Sequence, residues 1–490
     1  MLTIKPLFSG GNDPLVSVEW EDRTVVPQGK RDSITISVPK AWSQTAVKVF
    51  ASHYLRVVNG ERETSVRQAI SRVSGTIAGW ALADGYCDET NARNLRYELA
   101  YMMVHQLWSP NSPVWYNVGV VEKPQASACF IQGVQDTMES LCALQTAETQ
   151  LFRQGSGTGT NLSPLRHCGA DLSNGGTASG AASFVRGYDA WAGVTKSGGG
   201  TRRAAKMVVL DIGHPDSPQF IREKAQAERM ARDLIDAGWP SDYNGPVYAN
   251  LPFQNANHSL SVPDEFMHAV AADCPWELRA LDGSVVSTVN ARSLWREVAE
   301  AAHTCGDPGL HFTTTINRWH TSPATGRINA SNPCSEYLFL DDSACNLASI
   351  NLYGLWLRGV RTGSSVAGID RAEFEQACAI SITAQEVIVD RASYPTEAID
   401  RNSRTFRPLG LGYSALGALL MSQGLPYDSD EGRCVCAEIT SLMGAAAYRQ
   451  SQRITDVKGC YQGALIGDNG DAMTRVLNMH AAAAEGLASA

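Results

Sequence analysis

The strongest chemical constellation in this 490-residue chain is RINASNPCSEYLFLDDSACNLASINL, residues 327–352. Asn332, Cys334 and Glu336 are spaced by two, so in an extended segment an amide, a thiol and a carboxylate would share one face. Pro333 disfavours helix there, since it lacks a backbone N–H and restricts the residue before it. A thiol beside a potential general base suits covalent or radical chemistry. Cys345 lies eleven residues beyond Cys334, within reach across a hairpin. The competing reading is a buried cysteine on a strand, packed as a small hydrophobe.

Other chemistries find less support. There is no CxxC, HExxH or CxxC…HxxxH pattern, and Cys434 and Cys436 sit at a spacing unsuited to a zinc site, so no metal site is expected. No Walker motif occurs either. Three glycine-rich segments do: GSGTGTNL (155–162), SNGGTASG (173–180) and KSGGGTRR (196–203), each without full GxGxxG spacing. In the last, glycines free the backbone while Arg202 and Arg203 offer forked donors suited to a phosphate or a base. A solvated turn with two surface arginines is the alternative. GLGYSALG (410–417) resembles a nucleotide fingerprint, but its third glycine is displaced and no clear strand precedes it, so close helix packing through glycine is expected.

The elements that must position these residues follow from length and pattern. A chain of 490 residues exceeds one core, since single cores stop growing near ~250–300 residues. Composition is that of a globular protein, 44% hydrophobic and 19% charged, which excludes disorder, collagen and coiled coil. The net charge is −9, and the 41 Lys and Arg are scattered, which argues against nucleic-acid binding. No apolar run reaches the ~18 residues of a membrane span and no secretory signal is visible, so a cytoplasmic location is expected. There, 12 cysteines are buried hydrophobes, ligands or redox-active thiols rather than a disulfide framework.

Alternation over 16–26 and 33–42 predicts strands joined by a Pro-Gly turn, and four-and-three spacing from Ser43 to Gln106 predicts helices broken at Gly85. Beyond Pro113, strand candidates at 128–134, 205–212, 311–316 and 336–340 alternate with helical segments, which predicts an α/β domain with a mostly parallel sheet. The helix after the first of these strands should be capped by Asp136, boxed by Glu139 and ended by Gly155.

The ordered set SPNSPVWYNVG (109–119), SACF (127–130), GSGTGTNLSPLR (155–166), GGTRRAAKM (199–207), HPDSPQFI (214–221), NPCSE (332–336), ACNLASINL (344–352) and RPLGLGYSALG (407–417) resembles the catalytic chain of ribonucleotide reductases, most of all the adenosylcobalamin-dependent class. The resemblance runs from about Trp42 to the end of the chain. It implies a ten-stranded α/β barrel over 106–490, with effector-binding dimer helices at about 136–200, preceded by a mainly helical domain at 1–105. It implies a thiyl radical on Cys334 that removes the 3′-hydrogen of the ribose, Glu336 as base at the 3′-hydroxyl, Asn332 orienting the ribose, and Cys129 and Cys345 as the redox pair. Ser112, Ser127, Gly157 and one of Arg202 and Arg203 would contact the substrate, a ribonucleoside diphosphate. Asp136 and Arg166 would hold a deoxynucleoside triphosphate effector, with 167–180 and KSGGGTRRAAKM as specificity loops coupling two sites. A homodimer and a thioredoxin-type reductant belong to the same picture.

Two departures stand out. The chain begins without the helical ATP-binding module of many reductases, so ATP and dATP control of overall activity is expected to be absent. It ends at Ala490, before the family's phosphate-binding loop and C-terminal cysteine pair; SYPTEAI (393–399) lies upstream of GLGY and is not that loop. An incomplete barrel is therefore expected, with a complementing C-terminal segment or chain, and little turnover by this chain alone. The alternatives are a reductase subunit whose radical comes from a separate protein, a nicotinamide-dependent thiol oxidoreductase built on GLGYSALG with Cys129 dispensable, and a nucleotide-binding remnant.

Overall fold

Trp20–Val25 (β1) and Ile34–Pro39 (β2) pair antiparallel across the expected Pro-Gly turn. β1 starts later than the alternation proposes, because Pro14–Ser17 form a helical turn capped by the Asp13 side chain. The helices Val66–Ala83 (α1) and Glu89–Val104 (α2) follow. A capping box of Ser65 and Gln68 opens α1, and Gly85, at φ 72°, breaks the chain between the two as expected. These elements come from a computed structural model that describes residues 1–173, 175–195, 204–362 and 368–489.

The chain divides into two compact units: Met1–Ala128 with Cys345–Tyr394 and Asp400–Ala490, and Cys129–Ala344 with Pro395–Ile399. Each encloses its own hydrophobic core, as expected of a chain too long for one.

In the first unit, Trp108–Pro110 (β3) leads into the short helix Ser112–Asn117 (α3). The second unit then alternates strand and helix: Cys129–Ile131 (β4), Met138–Arg153 (α4), Gly157–Asn161 (β5), Ala181–Val194 (α5), Ala205–Asp211 (β6), Ser217–Asp236 (α6), Ala256–Val262 (β7), Ala291–Cys305 (α7) and Gly309–Phe312 (β8). The five strands form one parallel sheet in that order, with Cys129 beside Gly157, Gly157 beside Ala205, Lys206 beside Ala256, and Ser259 beside Gly309. Strands buried on both faces need near-continuous apolar runs, and MVVL in β6 supplies one. The two-residue strands Ala330–Ser331 (β9) and Leu338–Phe339 (β10) make a small antiparallel hairpin.

Ser343–Asn351 (β11) belongs to the first unit from Cys345 onward. There it pairs antiparallel with β3 and parallel with Leu409–Ser414 (β12). Arg371–Arg391 (α8), buried on nearly every face, runs through that unit's core.

The architecture is mixed α/β with a helical N-terminal region, as expected, and the second unit carries a five-stranded parallel sheet. Four local expectations are corrected. Residues 311–316 are not a strand: β8 ends at Phe312 and a helix begins at Thr313. The α4 cap is Thr137, whose hydroxyl accepts from the Ser140 N–H, while Asp136 is engaged elsewhere. GLGY is a strand, so its glycines pack against a strand rather than a helix: a side chain at Gly410 would meet Leu347 and the Cys345 sulfur. Asn332–Glu336 is not extended but turns sharply.

Candidate active site

The NPCSE segment is the loop of the β9–β10 hairpin. Ser335 N–H donates to Asn332 O at 3.1 Å, closing a turn over Asn332–Ser335, and Ser335 sits at φ 64°, unusual for a residue with a side chain. Asn332 N–H donates to Tyr337 O at 3.2 Å, and Tyr337 N–H returns a bond to Asn332 Oδ1 at 2.9 Å. The amide of Asn332 thus braces the hairpin as well as facing the site.

The parallel sheet grips this hairpin from beneath. A side chain at Gly157 would stand 2.9 Å from Pro333 Cγ, and one at Gly159 would fall on the Ser331 carbonyl. Glycine in GSGTGT is demanded by this close approach of two backbones. Asn161 Nδ2 donates to Asn329 O at 3.0 Å, and Asn257 Nδ2 to Pro333 O at 2.7 Å. Sequence reasoning missed both asparagines, since nothing local marks a strand residue that reaches for a distant carbonyl.

Three of the expected residues share one set of hydrogen bonds. Cys129, at the start of β4, donates its thiol to Glu336 Oε1 at 3.2 Å and accepts from Asn332 Nδ2 at 3.1 Å. Cys129 and Asn332 are buried, whereas Glu336 and Cys334 are exposed. A thiol held between an amide donor and a carboxylate acceptor is fixed in orientation, with its hydrogen directed at the carboxylate. Cys334 stands at the corner of the turn.

Cys345, Ser112 and Ser127 lie in the first unit. Cys345 is buried on β11, its thiol donating to Asn346 O at 3.4 Å and its carbonyl accepting from Ala128 N–H at 3.2 Å. Gln385 of α8 ties the neighbouring Asn346 and Gly410 carbonyls, at 3.1 and 2.7 Å. Ser112 is the half-buried first residue of α3, and Ser127 is buried, with its N–H on Gln125 Oε1.

The expected effector residues form an ion pair, Arg166 Nε to Asp136 Oδ2 at 2.6 Å, and Arg166 also reaches Asp171 O at 3.4 Å. The following loop is pinned at its base by the buried Asp216 of HPDS, whose carboxylate accepts from Cys168 N–H at 2.9 Å and Ala181 N–H at 2.8 Å. A charged pair, Lys206 of β6 and Glu148 of α4, is fully buried beneath these helices, with Lys206 Nζ 4.6 Å from the centre of the Tyr188 ring of α5. Burial pushes the Glu148 carboxyl above its ordinary range, against the pull of Lys206. Arg202 and Arg203 lie outside the described residues. Among the described residues, no group of three or more His, Cys, Asp and Glu could hold a metal ion, and no helix is long and apolar enough to cross a membrane.

Comparison with known proteins bears on this geometry. Residues 127–483 match the family described as ribonucleotide reductase, barrel domain, and residues 26–106 match class II vitamin B12-dependent ribonucleotide reductase. A vitamin B12-dependent ribonucleotide reductase of Rhodopirellula baltica is 44% identical over 96% of this chain and 48% of its own length. One from Streptomyces clavuligerus is 43% identical over 96% of this chain and 50% of its own. A vitamin B12-dependent ribonucleoside-diphosphate reductase of Mycobacterium tuberculosis is 32% identical over 88% and 57%. The chain spans about half the length of the first two. With the barrel-domain match covering most of its residues, the chain belongs to the ribonucleotide reductase family, on the side of its vitamin B12-dependent class.

Proposed function

We propose that this chain carries the thiol centre of an enzyme that reduces ribonucleoside diphosphates to 2′-deoxyribonucleotides. The observation that carries the reading is the Cys129 thiol held between the Asn332 amide and the Glu336 carboxylate. Cys334, as a thiyl radical, takes the 3′-hydrogen; Glu336 receives the 3′-hydroxyl proton; Asn332 holds the ribose hydroxyl. The 2′-hydroxyl leaves as water while Cys129 and Cys345 give two electrons and two protons and end as a disulfide, which a thioredoxin-type reductant reopens. Cys334 then returns the abstracted hydrogen to C3′ and is again a thiyl radical, closing the cycle.

Adenosylcobalamin, when bound, would supply the radical equivalent that makes the Cys334 thiyl. The exposure of Cys334 at a turn corner fits a source that reaches the thiol from outside. The class II match over 26–106 favours cobalamin over a separate radical-generating subunit. The nicotinamide reading loses its footing, because GLGY is a strand pressed on Leu347 and Cys345. Ser112, Ser127, Gly157 and the 202–203 arginines are the substrate contacts in this reading, and Asp136 with Arg166 holds a deoxynucleoside triphosphate. Exposed Met138, Trp191 and Val194 on α4 and α5 suit a homodimer through those helices.

The test adds the C-terminal portion of a class II reductase to the chain and follows deoxynucleotide formation with and without adenosylcobalamin. Cobalamin-dependent reduction, abolished by Cys334→Ser with effector binding retained, is the expected result. Turnover that survives Cys334→Ser overturns the reading.

A further inference from the structure

His311, at the end of β8, is a buried imidazole that no step above uses. Its Nε2 lies 3.2 Å from Ser331 Oγ and 3.2 Å from Ser335 Oγ, and the two hydroxyls are 3.2 Å apart. Ser331 Oγ also donates to Asn332 O at 2.9 Å. One ring nitrogen therefore joins the residue before the Asn332–Ser335 turn to the residue that closes it, and Cys334 lies between them. The side-chain amides of Asn332 and Asn257 and backbone groups hold the rest of the turn, and the imidazole is a side-chain tie at its closing end. The Ser335 conformation, at φ 64°, carries an intrinsic cost, and such a conformation persists only where its surroundings hold it.

We propose that His311 is a positioning residue for the Cys334 thiol, acting through the hydroxyls of Ser331 and Ser335. Burial keeps the imidazole below its ordinary pKa and hence neutral, the form that can hold both hydroxyls by donating or accepting at Nε2. The consequence for catalysis rests on the radical reading of Cys334. The placement of the thiol does not, and the two are tested apart.

The measurement is the rate of Cys334 alkylation by iodoacetamide in the native 490-residue chain, resolved by peptide mass and divided by the rate at exposed Cys460. His311→Leu should change this ratio by about fivefold, the factor one net hydrogen bond is worth. His311→Gln, whose amide also donates and accepts, should restore it. Ser335→Ala spares the core and should shift the ratio in the same direction, without adding to His311→Leu. If His311→Leu does not fold, Ser335→Ala decides. A ratio unchanged in a folded variant, or changed equally by Leu and Gln, overturns the proposal. An altered ratio with unaltered deoxynucleotide formation in the complemented enzyme would instead sink the radical role of Cys334 and leave the positioning intact.

Discussion

Gly159 occupies an interior place in β5, yet a side chain there would collide with the Ser331 carbonyl oxygen, a backbone atom that cannot swing aside. Gly159→Ala should therefore cost about 3 kcal/mol, the scale of overpacking a filled site. Gly79, exposed inside α1 with nothing within 4 Å of its missing side chain, makes the contrasting case. Gly79→Ala should stabilise by roughly 0.5–1 kcal/mol, because alanine loses less conformational freedom in a helix. Urea denaturation of both variants reads the difference; equal effects would refute the close approach of β5 and the NPCSE turn. The sequence marks both positions only as glycine. What each glycine is for depends on a neighbour 172 residues away in one case and on open solvent in the other, since Ser331 and Gly159 stand that far apart in the chain.

The glycine-rich β5 and the polar β7 of the second unit were not among the strand candidates, but β4 and β6 were legible from hydrophobic period, because each is local. The contacts between elements were not. Lys206 reads as a charge at the edge of an apolar strand, but the fold buries it fully against Glu148 of α4, with Tyr188 of α5 alongside. A buried pair contributes little net stability, whereas removing one partner strands the other charge. Lys206→Met should cost about 3–5 kcal/mol, and pairing it with Glu148→Gln should recover much of that. The loss should grow as pH rises. Glu148 already has its carboxyl pushed up by burial, and without Lys206 the folded state favours the protonated form still more, so deprotonation in the unfolded chain weakens folding. Chemical denaturation of the single and double variants across pH checks this. The NPCSE segment makes a similar point in the opposite direction: the period-two spacing of Asn332, Cys334 and Glu336 proposed a strand, and a turn closed by Ser335 took its place.

Two cores in one chain follow from length, and the second holds an acid-sensitive group. His258 is buried in β7, stacked on Phe220 at 4.6 Å and edge-on to Phe253 at 5.2 Å, and neither ring nitrogen has a hydrogen-bond partner among the described residues. Burial, reinforced by the charge of Lys224, holds its pKa well below the ordinary 6.5. Below that value the unfolded chain binds a proton the folded chain refuses, so stability should fall as pH drops from about 7 to about 5. His311 adds in the same direction. His258→Phe keeps the stack and removes two unpaired nitrogens, so it should gain roughly 1–3 kcal/mol at neutral pH and flatten the acid slope; urea midpoints measured across that range decide. What the sequence determined by itself was the inventory: the reactive residues, the helical and strand periods, and the ordered motifs of the family, all properties of short stretches. Only the tertiary structure decided the arrangement. Cys129 and Glu336 are 207 positions apart, and their hydrogen bond exists because a parallel sheet delivers one and a hairpin turn the other. A contact over that distance leaves no local trace in residue type or spacing, since its cause is the packing of elements that are each specified separately.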